Sequence, residues 1–181
     1  MIKYVALLRG INVGGHKVIK MAALKLIFES LGLSNVKTYI LSGNVLFESG
    51  ETDCELVIKT IEAGLHKALG YEVRVILRTV AELAALEKLN PFKAVQPGAE
   101  VKKYVTFLAA KHKSKLKVPV LSPHKDWEIV LLRPREVFLV AFTTPNGRYG
   151  ESMALIEKEF GAQVTTRNWN TVIKILALAQ S

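Results

Sequence analysis

KYVALLRGINVGG at residues 3–15 and TYILSGNVLF at residues 38–47 are the two stretches that decide the fold of this 181-residue chain. The first is an apolar, β-branched run that predicts a strand over Ile2–Leu8, followed by a glycine-rich loop. Apolar residues then recur at helical spacing over 21–31. The second stretch predicts two strands joined by the tight connection Ser42-Gly43-Asn44. The chain therefore opens in the order strand, helix, strand, strand.

A second helix and a fourth strand complete the first half of the chain. Thr52 or Asp53 can cap a helix whose apolar stripe runs to Leu69, and residues 72–77 form a short strand pattern. The resulting β-α-β-β-α-β order is that of a ferredoxin-like domain. We therefore expect a ferredoxin-like unit over residues 1–80.

The second half of the chain repeats this plan. KYVTFL at residues 103–108 resembles KYVALL at residues 3–8, and a match at fixed separation indicates an internal repeat. The predicted order is β-(α)-β-β-α-β-α, with the region after Leu108 in the position of the first helix. The later elements are expected at Trp127–Leu132, Val137–Phe142, Glu151–Phe160, residues 162–165 and Asn168–Ala179.

These patterns predict an α+β fold made of two ferredoxin-like β-α-β-β-α-β units in tandem plus a C-terminal helix. The units are expected over residues 1–80 and 102–181. A connecting helix and a proline-containing linker are expected over residues 81–101.

Composition is typical of a globular protein from a reducing compartment. Half of the residues are hydrophobic, which suffices for a sizeable core. No apolar run approaches the roughly 20 residues that a membrane span needs. The single cysteine, Cys54, excludes an internal disulfide. The first residues form a strand pattern rather than a signal peptide, so we expect a cytoplasmic protein.

Positive charge is concentrated in the second half of the chain. Residues 1–90 hold 11 Lys and Arg against 9 Asp and Glu, whereas residues 91–181 hold 14 against 7. Seven lysines and no acid occur between Lys102 and Lys125. This stretch is typical either of a contact with nucleic acid or another polyanion, or of a lysine-rich surface exposed to solvent.

Four motifs together resemble one protein family. They are LLRGINVGG at residues 7–15, Lys20-Met21 at the first helix, TYILSGNVLF at residues 38–47 and TTRNWNTV at residues 165–172. As a set they resemble the uncharacterised domain of unknown function 1697 family over nearly the whole chain. The resemblance implies an α+β fold with ferredoxin-like parts in a bacterial-type cytosolic protein. It implies no established activity.

The loop from Arg9 to Gly15 is the first candidate ligand site. A glycine-rich loop between a strand and a helix can turn backbone amides toward an anion, and Arg9 and Asn12 would add charge and directed hydrogen bonds. The spacing of Gly10, Gly14 and Gly15 matches neither a dinucleotide-binding fingerprint nor a P-loop. The glycines therefore serve either ligand binding or backbone geometry alone.

The corner Ser42-Gly43-Asn44 is the second candidate. It is either a hairpin turn in which Gly43 and Asn44 adopt positive φ, or part of the same polar site as the first loop. The second alternative requires Ser42 and Asn44 to lie beside Arg9 in the folded chain.

The segment TTRNWNT at residues 165–171 holds the third candidate. Thr166 or Asn168 can cap the terminal helix, but Arg167 would place its positive charge at the positive end of that helix. Either an internal acid compensates this charge, or a phosphate or carboxylate binds to Arg167, Asn168 and Asn170.

Other reactive groups point to no particular chemistry. The four histidines lack metal-ligand spacing, so no metal site is predicted. Cys54 is either a reactive thiol at a helix start or a buried thiol without a role. Neither a nucleophile elbow nor a paired-carboxylate arrangement occurs. Catalytic residues and cofactors therefore stay unassigned.

The leading functional hypothesis is a small anionic or phosphate-bearing ligand, held in a polar pocket where the two units meet and contacted by the three candidate sites. The alternative is nucleic-acid binding through the basic second half, although the aromatic signature of an RNA-recognition sheet is missing from the sequence. A membrane partner is not expected. Enzymatic activity and oligomeric state are not predicted.

Overall fold

A computed structural model describes residues 1–12, 18–96, 100–144 and 153–180, without the side chains of residues 153 and 154. Contacts divide the chain into two compact units. The first comprises Met1–Ala84 with Ile175–Ser181, and the second comprises Ala85–Lys174. Each unit combines helices with an antiparallel sheet, so the predicted α+β class and the C-terminal helix are confirmed.

The first unit is built on a four-stranded antiparallel sheet in the order β2-β3-β1-β4. Its strands and helices are β1 (Ile2–Leu8), α1 (Met21–Ser30), β2 (Ser34–Tyr39), β3 (Asn44–Ser49), α2 (Cys54–Leu69) and β4 (Val75–Thr79). Tyr4, Ala6 and Leu8 alternate along β1 and join a core cluster with buried residues of both helices, as expected for one face of a strand.

Helix α2 shows how local sequence sets the bounds of these elements. The Asp53 carboxylate accepts hydrogen bonds from the backbone N–H groups of Glu55 and Leu56, at 2.9 and 3.3 Å, which satisfies two donors at the helix start. Gly70 ends the helix with a φ of +76°, a conformation that glycine adopts without strain. The side chains buried along one face are Val57, Ile61 and Leu65.

The second unit contains a five-stranded antiparallel sheet in the order β6-β7-β8-β5-β9. Helix α3 (Val80–Leu89) precedes it in sequence. The elements that follow are β5 (Val101–Leu108), β6 (Val120–Leu121), β7 (Trp127–Arg133), β8 (Glu136–Phe142), α4 (Met153–Phe160), β9 (Val164–Asn168) and α5 (Trp169–Gln180). Its core cluster centres on buried residues of β7, β8 and α4.

The helix expected between β5 and β7 is not formed, since described residues 109–126 contain only the short strand β6 and irregular or extended chain. The sequence explains the difference. Lysines alternate with other residues over 111–117, and a period of two suits an extended segment rather than a helix. Pro119 and Pro123 would also interrupt a helix.

Several predicted strand bounds were wrong, including those of β4, which spans Val75–Thr79 instead of residues 72–77. β9 runs to Asn168 instead of ending at Thr165, because Arg167 pairs with Val105 of β5 inside the antiparallel ladder. β2 ends at Tyr39 instead of Leu41, because Ile40 adopts a φ of +50°, which lies outside the extended region. Glu151 and Ser152, where the fourth helix was expected to start, lie outside the described residues.

The two sheets share the same register in their central strands. Val5 pairs with Leu46 and Arg78, and the corresponding Val105 pairs with Phe138 and Arg167. Each hairpin also has a register shift, between Ser34 and Lys37 in β2 and between Ile129 and Leu131 in β7. Such shifts are characteristic of a β-bulge. Corresponding strands of the two sheets thus pair in the same register.

Candidate functional site

The first loop and the first hairpin corner lie together in the first unit. The backbone N–H of Leu8 donates to the carbonyl of Gly43 at 2.8 Å. Gly43 has a φ of +72°, and a Cβ atom built on it would lie 2.7 Å from Ile11 Cδ1 and 2.9 Å from Leu8 Cβ. The corner therefore packs so closely on the loop that only glycine fits there.

Asn12 uses its side chain to close this loop. Its Nδ2 donates to the carbonyls of Ile19 and Leu41, at 3.1 and 2.8 Å, and its Oδ1 accepts from the Ile19 N–H at 2.8 Å. The residue has a φ of +54°, which asparagine tolerates better than most residues. Gly14 and Gly15, the other predicted ligand residues of this loop, lie outside the described residues.

Asn44 has a similar structural role at the corner. Its side chain is buried, and its Nδ2 donates to the Tyr39 carbonyl at 3.1 Å and to Ser42 Oγ at 3.0 Å. Asn44 is the first residue of β3, so the positive φ values of this turn belong to Ile40 and Gly43. Arg9 is half-buried, and its backbone N–H donates to the Arg74 carbonyl at 2.9 Å. The amides of this corner thus bond to the protein itself.

In the second unit, Arg167 lies within β9. Its Nη1 donates to Thr165 Oγ1 at 2.7 Å and to the Thr166 carbonyl at 2.9 Å. Burial lowers the pKa of the Arg167 guanidinium to about 10, because the charged form loses its hydration. Arg78, the residue with the same register in the first unit, likewise donates Nη1 to the preceding carbonyl, that of Leu77, at 2.8 Å.

Asn168 forms the predicted cap of the terminal helix. Its Oδ1 accepts from the backbone N–H of Asn170 at 2.9 Å, which satisfies one of the donors at the start of α5. Asn168 is half-buried and Asn170 is exposed. Thr166 is not the cap, since its hydroxyl lies 2.7 Å from that of Thr106 on the neighbouring strand.

Asn168 and Asn170 line a cavity of about 550 Å³ in the second unit. Two further amide side chains, Asn90 and Gln96, contribute to its wall. Three lysines complete the polar lining: Lys93, Lys102 and Lys103. Among the residues that the structure describes, no Asp or Glu lines this space. The cavity is therefore rich in hydrogen-bond donors and positively charged.

Aromatic packing supports one side of the cavity. The Phe92 ring contacts the rings of Phe138 and Trp169 edge-to-face, with centroids 5.9 and 5.7 Å apart. Lys103 Nζ lies 5.6 Å from the Phe92 ring centroid, a cation–π distance. The predicted core role of Trp169 agrees with this packing. Phe92 and Lys103 are thereby held at defined positions on the cavity wall.

Several cavity residues were missed by sequence reasoning. Asn90 and Gln96 belong to the predicted linker, Lys102 to the basic stretch, and Lys103 to that stretch and to the predicted KYVTFL strand. The available signal was the polar character of the residues beside Pro91 and Pro97. Proline marks a turn but does not say which surface that turn covers, so the cavity could not be placed from this signal.

The described parts of the chain offer no alternative metal or membrane site. They contain no group of three His, Cys, Asp or Glu side chains that could hold a metal ion. No helix in these segments is both long and apolar enough to cross a membrane. Cys54, the first residue of α2, is exposed rather than buried.

The antiparallel sheets and the polar cavity define an α+β protein with a basic, donor-rich recess. The sequence family described as "Protein of unknown function (DUF1697)" matches residues 1–138, and the chain belongs to this family. A comparison with curated proteins found no match.

One solved structure shows the same fold. It is described as "The structure of conserved bacterial protein SP0830 from Streptococcus pneumoniae". It is 24% identical to this chain and has a TM-score of 0.68, with 98% of each chain covered. At this level of sequence identity, the similarity shows a shared fold and nothing about function.

Proposed function

We propose that this protein binds a small anionic or phosphate-bearing ligand in the cavity of the second unit. The observation that carries the proposal is the lining of this cavity, which combines three lysines with four amide side chains and lacks an Asp or Glu among the described residues. The sequence hypothesis combined residues of both units in one pocket. The present proposal uses residues of the second unit only.

Charge supports this choice of ligand. Ammonium groups that line a concave surface raise the local concentration of anions, and Lys93, Lys102 and Lys103 supply three of them. Amide N–H groups add directed donors to anionic oxygens. The cavity volume falls within the roughly 300–1,000 Å³ that is usual for small-molecule sites.

Preorganisation also supports the proposal. Lys103 lies over Phe92, which itself packs on Phe138 and Trp169, so less side-chain freedom is lost when a ligand binds. The Asn168 cap fixes the start of α5 at the same wall, and a helix start carries partial positive charge.

Thermal unfolding with sodium pyrophosphate, compared with sodium chloride at equal ionic strength, tests the proposal. Pyrophosphate at ten times its Kd should stabilise the protein by about 1.4 kcal/mol, a Tm rise of roughly 3–5 °C for a chain of this size. The triple variant Lys93→Gln, Lys102→Gln, Lys103→Gln should lose this rise.

A matched triple variant on the first unit controls for overall charge. Lys20, Lys25 and Lys59 are exposed there, and changing all three to Gln removes the same charge. This control should keep the pyrophosphate effect. An equal loss in both triple variants, or no stabilisation of the natural sequence, would contradict the proposal.

We also propose that both units are variants of the ferredoxin-like plan and that the protein acts in the cytoplasm. The strand orders β2-β3-β1-β4 and β7-β8-β5-β9 support the first point, because they are equivalent when numbered within each unit. The second unit departs from the plan in the region between β5 and β7, where the described chain has no helix. The lack of a second cysteine supports a reducing compartment.

A further inference from the structure

Four exposed lysines recur at every second position of the segment 111–117 in the second unit. Lys111, Lys113, Lys115 and Lys117 are all exposed, whereas the residues between them are half-buried. In an extended chain, side chains alternate between two sides and residues two apart share a side. The alternating exposure therefore places these four lysines, the lysine row, on the solvent side of the segment.

Contacts on the opposite side hold this segment in place. The backbone N–H of His112 donates to the Pro134 carbonyl at 2.9 Å, and His112 Nε2 lies 3.0 Å from the Arg133 carbonyl. The His112 ring also packs edge-to-face on Phe160, with centroids 5.2 Å apart. These contacts fix the first part of the segment against the β7–β8 turn and α4.

Ser114 anchors the next part of the segment. Its Oγ donates to the Glu159 carboxylate and accepts from the Leu116 N–H. Val118 then packs against the core of the unit. The residues between the lysines pack against the protein, and these contacts leave the lysines exposed to solvent.

The stretch of sequence that contains the row is basic. The sequence contains no acid between Val101 and Lys125, and the acid that contacts the segment, Glu159, accepts from Ser114. Arg133 is exposed at the turn that bonds His112. Positive charge thus continues beyond the four lysines.

We propose that the lysine row binds the phosphate backbone of single-stranded nucleic acid, without reading its sequence. Lysines two residues apart along an extended chain are about 6.8 Å apart. One strand of nucleic acid carries a phosphate every ~3.4 Å along its axis when stacked, so the row matches every second phosphate. This surface is separate from the cavity, and the two proposals can fail independently.

Charge density favours nucleic acid over an acidic peptide. An extended peptide presents at most one carboxylate per about 6.8 Å on its facing side, half the linear charge of a nucleic-acid strand. A peptide bound in this way also relies on pockets for its alternate side chains, whereas the outward side of residues 111–117 presents lysines. The row offers charge without such pockets.

Fluorescence anisotropy with a labelled, mixed-sequence single-stranded oligonucleotide tests the proposal. The row spans about 20 Å, or about six nucleotides, and a probe twice as long covers it. The variant in which all four lysines of the row become Gln should bind at least tenfold more weakly at roughly 50 mM salt. Its slope of log K against log salt should be smaller by about 3, since each lost contact contributes about 0.7.

Two further variants control for net charge and folding. Changing the exposed Lys20, Lys25, Lys59 and Lys67 of the first unit to Gln removes the same charge and should change the affinity less than threefold. Changing the four lysines of the row to Arg keeps the charge and should retain binding. Thermal unfolding of each variant verifies that the fold is intact.

The remaining outcomes would overturn the proposal. These are no binding by the natural sequence, an equal loss in both four-lysine Gln variants, and stronger binding of a polyglutamate peptide than of the oligonucleotide. The last result would reassign the row to acidic polypeptides.

Discussion

At the scale of single residues, the polar corner of the first unit is stabilised mainly by bonds to its own backbone. Asn12 joins the end of the first loop to Ile19 and Leu41 through three hydrogen bonds. Asn44 closes the hairpin by donating to Tyr39 and Ser42. Such side-chain to backbone bonds replace the ladder bonds that a tight turn cannot make. The corner therefore positions β1 and β3 without needing a ligand.

Gly43 gives the sharpest test at this scale. Gly43→Ala would place a methyl group 2.9 Å from Leu8 Cβ, which cannot move without its strand, at a φ of +72°. We expect a loss of about 3 kcal/mol in the free energy of unfolding, from positive-φ strain and overpacking together. Chemical denaturation measures this loss.

Gly32 is the matched control for this substitution. Its φ is +78°, and nothing lies within 4 Å of a Cβ built there. Gly32→Ala should cost only the strain of positive φ, about 1 kcal/mol. Equal losses at the two glycines would show that close packing of the corner on the loop contributes little.

The sequence allowed the unusual residues of the corner to be identified, but not their partners. Gly43 and Asn44 were recognised because glycine and asparagine tolerate special backbone geometry, and Asn12 because its amide can supply directed hydrogen bonds. The Asn12 amide bonds to the carbonyl of Leu41, 29 residues away. The sequence does not distinguish such a bonded amide from a free one. The distinction depends on tertiary contacts.

At the scale of elements, the start of α5 links stability to the proposed ligand site. Asn168 caps the helix through Oδ1 and also lines the basic cavity. Aspartate is as good a cap as asparagine, but it would introduce a carboxylate among the three lysines. Substitutions at Asn168 can therefore test helix capping and ligand binding separately.

We expect Asn168→Asp to keep the free energy of unfolding within about 0.5 kcal/mol of the natural sequence while weakening pyrophosphate binding at least tenfold. Asn168→Ala should instead lower stability by about 1 kcal/mol through loss of the cap. Denaturation and titration calorimetry on both variants provide the measurements. Unchanged binding by the aspartate variant would argue against a ligand in this cavity.

Elements with strong apolar periodicity were predicted well, and those with polar patterns were not. α2 was recognised from its apolar stripe and its Asp53 cap, both of which are local signals. The prediction ended β9 at Thr165 because Thr166 or Asn168 was considered as the cap of the following helix. Pairing with β5 nevertheless extends it to Asn168, and such pairing is a tertiary effect.

At the scale of the whole molecule, the last residues of the chain belong to the first unit. Ile175–Ser181 group with Met1–Ala84 by contacts. Lys3 Nζ donates to the Ala179 carbonyl at 2.7 Å, and Lys37 Nζ donates to the Leu178 carbonyl at 3.3 Å. Cations at a helix end also interact favourably with its partial negative charge. The first unit is therefore discontinuous in sequence.

Truncation after Lys174 should consequently destabilise the first unit. It removes the buried side chains of Ile175, Leu176 and Ala179, with a loss of about 4 kcal/mol expected from the lost apolar burial. Urea unfolding, with amide exchange in β1 and β3 as a local readout, measures the effect. Removing Gln180 and Ser181 alone should change stability by less than about 0.5 kcal/mol. Equal denaturation midpoints for the two truncations would contradict this assignment.

The discontinuity could not be predicted from the sequence, which placed the second unit over one continuous segment. Hydrophobic spacing predicts a helix at the end of the chain. It does not show to which unit each part of that helix belongs. The KYV motif near residues 3 and 103, in contrast, lies in two strands that pair with their neighbours in the same register.

The common register of the two sheets has a practical consequence for mutagenesis. Val5 corresponds to Val105, Leu46 to Phe138 and Arg78 to Arg167, so offsets of 100, 92 and 89 relate β1 to β5, β3 to β8 and β4 to β9. A substitution scan of one half can thus be overlaid directly on the other. A position that tolerates substitution in one unit, while its counterpart in the other unit does not, would indicate that the two positions differ in function.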